Sequence, residues 1–300
     1  MKIKNSFAAP LLLIVVLVLM TLSGFLDLSR LGMAENPYLA TVIIQLIVYA
    51  LPCVFFCRMR GDNYSERLRI RMFRANHCFL MILSLIAMFA GSALIRLALY
   101  SVFPESAADV SYGASLQGEN LFLAIIAFAV VPAMTEEFLV RGIVLTEYES
   151  AGVPFAVILS SLLFSMMHLN LMQLPTYFYC GVILAIVLYT TRSVFASMAV
   201  HLLNNIATLL FDRFVYSVAE NVEERGVLFS FILLCVLFVS LILLFMEAQR
   251  IYAGYGITGV PSPHIRPKKK KEPLGIADML LSPALIVFVI LFFVISLIKR

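Results

Sequence analysis

The sequence predicts an all-α polytopic membrane protein, a bundle of about 8–9 transmembrane helices. Three observations carry this. Of 300 residues, 62% are hydrophobic and only 13% charged, where a soluble chain carries about 25% charged residues. Mean hydropathy is +0.99. The apolar residues also gather into runs at 7–26, 38–57, 78–103, 120–144, 154–172, 175–191, 193–211, 226–247 and 279–298, most of them near the ~20 residues that span a bilayer as helix.

Taken in order, the first run follows Lys2 and Lys4 as a signal peptide would. It is too long for a signal's apolar core and lacks a small-residue cleavage site, so it reads as a retained first helix. The second run ends at a loop, 58–77, holding Arg58, Arg60, Arg67, Arg69, Arg71 and Arg74. The third leads to 104–119, which has Pro104, Gly113 and Gly118 but no Lys or Arg and reads as an irregular, solvated loop. A turn at Ser150–Pro154 joins the fourth and fifth runs as a hairpin. The run 175–191 is the shortest. Acidic residues dominate 212–225, and 248–278 holds Arg250, Arg266 and the run Lys268–Lys271.

If the spans alternate, the basic loops 58–77 and 248–278 share a side with the N-terminus, and the loops poor in Lys and Arg share the other. The predicted topology is therefore N-terminus in the cytoplasm and C-terminus outside, with Lys299 and Arg300 running against it. The lysine run reads as topogenic contact with anionic headgroups, so the predicted partners include the bilayer but no nucleic acid. Cys53, Cys57, Cys78, Cys180 and Cys235 have no paired spacing and read as small apolar residues. The chain divides into N-terminal helices with a basic loop (1–119), a helical core (120–211) and C-terminal helices with a basic loop (212–300).

The core carries charge where charge is costly. Glu136, Glu137 and Arg141 lie inside the fourth run, and each charge near a bilayer centre costs at least ~2.5 kcal/mol. Glu137 and Arg141 are four apart and pair on one helix face, whereas Glu136, rotated about 100°, is left to face something else. The fifth run holds Phe164 and, one turn on, His168; the seventh holds His201 and Asn205, again one turn apart. Asn204 is expected to point elsewhere. His77 and His264 fall in loops and are expected to be solvated. Glu136 is 15 residues before the hairpin turn and His168 about as far after it, so both lie about 23 Å from it and can meet. The level of His201 matches theirs if the hairpin, with Glu147 and Glu149, projects into the cytoplasm.

A carboxylate beside an imidazole takes a proton from water. An imidazole N–H and a carboxamide hold the oxygen of a tetrahedral intermediate. Those are the parts for hydrolysing an acyl bond by direct attack of water. Ser165, three residues before His168, is the weaker alternative as a nucleophile.

The three elements Glu136-Glu137-x-x-x-Arg141, Phe164-x-x-x-His168 and His201-x-x-x-Asn205, in this order on membrane segments, resemble the CPBP family of CAAX proteases, bacteriocin-processing and abortive-infection proteins, which are intramembrane glutamic endopeptidases. The resemblance covers residues 132–205. It implies that Glu136 activates water with His168 assisting, that His201 and Asn205 form the oxyanion hole, and that Glu137, Arg141 and Phe164 support the site. It also implies no cofactor and no metal, a site opening toward the cytoplasm, and a prokaryotic plasma-membrane protein. The implied substrate is a peptide, a bacteriocin precursor or a membrane-associated protein. The alternatives from other classes are a zinc-dependent membrane protease, a proton-coupled transporter and a non-catalytic immunity protein.

Overall fold

A computed structural model describes residues 5–26, 36–61, 67–103, 120–220, 226–257 and 275–298. These residues are helical throughout apart from turns and short extended segments. Nine helices correspond to the nine apolar runs: α1 (Asn5–Ser23), α2 (Pro37–Arg60), α3 (Ala75–Val102), α4 (Leu121–Ala151), α5 (Val153–Met167), α6 (Leu174–Thr191), α7 (Val194–Glu220), α8 (Val227–Ile257) and α9 (Pro283–Ile298). Six have a stretch long and apolar enough to cross a membrane, and α1, α5 and α9 are shorter apolar helices. The run 175–191, the shortest of the nine, is among the six.

Local chemistry accounts for the helix starts. Asn36 accepts the Leu39 N–H at 3.0 Å and Asn120 accepts those of Phe122 and Leu123 at 3.1 and 3.3 Å, as N-cap side chains do. Pro37, Pro154 and Pro175 sit in first turns, where no N–H is needed. Pro52 and Pro132 lie inside α2 and α4. A proline ring clashes with the carbonyl four residues back. In both helices the preceding turn, Leu46–Ala50 and Ile126–Val130, is widened to the five-residue π pattern that absorbs it. At Gly152 the chain takes φ +110°, which admits glycine readily, and α4 turns into α5.

The helices pack around two adjoining cores. In the first, α1, α2, the second half of α4, α5, α6 and α9 enclose Leu13, Leu17, Leu139, Ile143, Leu145 and Phe288. In the second, α3 and α8 pack on α6 and α7 around Leu80, Met88, Leu184 and Val200. The core helices α4–α7 therefore sit between the N-terminal and C-terminal ones.

Two expectations change at the end of the bundle that carries the arginines. His77 is not solvated: it is 2% exposed, its Nδ1 accepts the Arg74 N–H at 3.3 Å and its Nε2 lies 3.3 Å from the Tyr255 hydroxyl. Helix α8 continues to Ile257, three turns past its apolar run, and lays Tyr255 over this histidine. The α4–α5 hairpin also does not end in free carboxylates. Glu147 pairs with Arg60 and lies 3.8 Å from Arg67, while Glu149 pairs with Arg69 at 2.6 Å. The loop arginines cover the hairpin tip, which is why four buried residues, Leu145–Tyr148, remain helical beyond the apolar run. The loop 104–119, His264 and Lys268–Lys271 lie outside the described residues.

Candidate active site

Glu136 sits mid-way along α4 with its side chain 14% exposed. The Gln45 amide of α2 reaches its Oε1 at 3.4 Å and the Thr135 hydroxyl at 3.3 Å. His168 follows the last residue of α5. Its Nδ1 is 3.0 Å from the Phe164 carbonyl oxygen, which can only accept, so Nδ1 carries the proton. Nε2 is then the ring atom offered to Glu136, 3.9 Å from its Oε2. That gap exceeds a hydrogen bond. Two acceptors so placed can share one water. Tyr177, from the first turns of α6, stacks on the imidazole with centroids 3.7 Å apart and planes at 18°.

Glu137, rotated about 100° from Glu136, is fully buried. Its Oε1 accepts from Arg141 at 2.8 Å and lies 3.0 Å from His201 Nδ1, and its Oε2 accepts a short hydrogen bond from the Ser197 hydroxyl. Arg141 donates in addition to the Gly181 carbonyl of α6 at 2.9 Å. Its guanidinium lies 4.5 Å over the ring of Phe164. Phe164 meets both imidazoles edge-on, at 4.8 Å for His168 and 5.8 Å for His201. One aromatic ring thus spaces the two histidines and covers the buried charge.

All of this borders a cavity of about 760 Å³ lined in part by Gln45, Glu136, His168, Tyr177, His201 and Asn205. Glu137 and Arg141 lie beneath it and are sealed. Asn204 departs from expectation: it also lines the cavity, 7% exposed, with its Oδ1 buried and without a hydrogen-bond partner among the described residues. The cavity is wide enough on α7 to take in neighbouring positions about 100° apart. Three contributors had not been singled out: Gln45, Tyr177 and Ser197. Ser197 had a signal, being four residues before His201 on one helix face. Gln45 had another, as a lone amide in an apolar run. Among the described residues no three His, Cys, Asp or Glu side chains gather closely enough to hold a metal ion.

Residues 118–207 match the family model described as Rce1-like, type II CAAX prenyl endopeptidase Rce1-like. This segment is similar to that family. The Rce1-like segment is under a third of the chain, yet it contains all seven residues of the three sequence elements. No curated protein and no solved structure matches the chain. The family is one of membrane endopeptidases, and the apolar helices make this chain an integral, multi-pass membrane protein.

Proposed function

We propose that this protein hydrolyses a peptide bond inside the membrane with water activated by Glu136 and His168. One observation carries the reading: a largely buried carboxylate and an imidazole of fixed tautomer face each other at 3.9 Å in a cavity, while the adjacent carboxylate is occupied by three other groups. Water held between Glu136 and Nε2 of His168 attacks the scissile carbonyl carbon as its proton passes to Glu136. The carbonyl π electrons move to oxygen, and the Asn205 amide and His201 hold that oxyanion. Collapse of the intermediate breaks the C–N bond, and the proton held by Glu136 goes to the leaving amine.

The role of His201 follows from its partner. Glu137 accepts from Arg141 and Ser197 and is a carboxylate, so it takes the Nδ1 proton of His201. A neutral imidazole bonded in this way has no N–H left for an oxyanion. His201 therefore serves the intermediate as an imidazolium, with Glu137 as its counter-charge. The substrate is a peptide, a bacteriocin precursor or a membrane-associated protein; no cofactor takes part. Residues 120–211 form the catalytic core, in a prokaryotic plasma membrane with the N-terminus in the cytoplasm.

The test compares membranes containing the wild type with membranes containing Glu136→Gln, by mass spectrometry of newly formed peptide termini. We expect termini specific to the wild type, and a loss of at least ~100-fold in turnover of any peptide so identified. Normal turnover by Glu136→Gln would remove this residue from the mechanism.

A further inference from the structure

The charge pattern and the family resemblance pull in different directions on this fold. Contacts fix which helix ends lie together. Arg60 at the end of α2 and Arg69 bind the end of α4 through Glu147 and Glu149. The Arg69 and Arg71 carbonyls accept from Val194 N and Ser193 Oγ at the start of α7. Arg192, at the end of α6, lies 4.1 Å over Tyr255 of α8, and Tyr255 contacts His77 near the start of α3. Arg250 of α8 reaches the Asn76 carbonyl at 3.4 Å. One end of the bundle thus gathers Arg60, Arg69, Arg71, Arg74, Arg192 and Arg250, with Arg58 and Arg67 beside them.

The cavity extends away from that end. Its lining comes from the opposite half of each helix: Thr41 and Gln45 near the start of α2, Ala127 to Glu136 of α4, and Ser92 and Arg96 toward the end of α3. The α5–α6 turn, Leu169 to Gln173, completes it. On the arginine side the floor is closed: Glu137, Arg141, Ile143, Val144, Tyr148, Leu188 and Ser197 are each at most 1% exposed. Fifteen residues of α4, about 22 Å, separate Glu136 from the hairpin tip. Among the described residues, no route to Glu136 opens at the arginine end.

Lys and Arg in short loops mark the cytoplasmic face. The connections at the cavity end hold one Arg in 27–37, none in 104–119 or 168–173, and two in 212–225 against four acidic residues. From these two observations together, we infer that the catalytic cavity opens on the non-cytoplasmic face and takes a peptide segment presented from outside the cytoplasm. The occupant rests on the proposed hydrolysis; the direction of opening does not.

The test is thiol labelling in intact cells. The full chain, with its five cysteines replaced, carries either Leu171→Cys in the α5–α6 turn or Met72→Cys, exposed at the arginine end. An impermeant maleimide should label Leu171→Cys in intact cells, and Met72→Cys only after the cells are opened. The reverse pattern overturns the inference. So does labelling of Leu171→Cys by a membrane-permeant reagent alone, which would place the mouth in lipid. Should the cysteine-free chain fail to fold, C-terminal fusions of the unmodified chain read the same orientation. Helix α9 reaches the cavity end at Ser296, so fused alkaline phosphatase should be active and fused green fluorescent protein dark. A bright fluorescent fusion overturns the inference. Labelling reads orientation without turnover: absence of turnover in the unsubstituted chain, with Leu171→Cys labelled from outside, would sink the hydrolysis alone, and turnover with Met72→Cys labelled from outside the orientation alone.

Discussion

Neighbouring positions on a helix point about 100° apart, and for Glu136 and Glu137 that rotation separates a cavity wall from a sealed cluster. The two should answer differently to the same change. Glu136→Gln should abolish turnover and leave the melting temperature in detergent near that of the wild type. Glu137→Gln leaves Arg141 buried without its counter-charge, an uncompensated charge that costs about 3–5 kcal/mol. It should therefore unfold at a clearly lower temperature; equal melting points for the two variants would contradict the buried cluster. Tyr177 stacks on the His168 ring. Tyr177→Ala should lower kcat by about 10-fold or more with KM changed less, since a misplacement near 1 Å can cost on the order of 100-fold. Tyr177→Phe keeps the stacked face and should retain more of the rate than Tyr177→Ala. At this scale, pairs one helix turn apart were legible in the sequence: Glu137 with Arg141, Phe164 with His168, His201 with Asn205. Contacts between distant helices were not. Glu137 and His201 are 64 residues apart and Gln45 and Glu136 are 91 apart, and no periodicity relates such positions.

Among the helices, the α5–α6 pair depends on one small residue. A Cβ on Gly181 would stand 2.9 Å from Ser161 Cβ and 3.0 Å from Ser161 Cα. Backbone, not a flexible side-chain tip, would have to give way. Small residues let membrane helices approach closely, and here the close approach brings the Gly181 carbonyl to Arg141. Gly181→Ala should cost about 1–3 kcal/mol of stability, the usual range for overpacking, and should slow turnover as Arg141 shifts. Thermal unfolding in detergent with an activity assay measures both; an unchanged melting point would mean that α6 shifts freely. The nine helices were legible because apolar runs mark burial and lipid contact alike. Their ends were not. Hydropathy follows side-chain chemistry, whereas the last turns of α4 and α8 stay helical through ion pairs and a tyrosine contact supplied by other parts of the chain. The misplacement of His77 has the same origin.

For the molecule as a whole, the described residues offer no cluster of three metal-binding side chains, and the proposed mechanism assigns every step to protein groups and water. Incubation with EDTA or phenanthroline should leave turnover unchanged. Loss of activity restored by added zinc would replace the water-activating pair with a metal centre. The architecture also bears on how the chain is made. Helix α1 packs along α9, and Ala9, Leu13, Val16 and Leu17 on its inner side are fully covered in the finished bundle. Their partner Phe288 lies some 270 positions later. At roughly 5–20 residues per second of synthesis, α1 waits about 15 to 55 seconds for the helix that covers it, and lipid must stand in until α9 has been made.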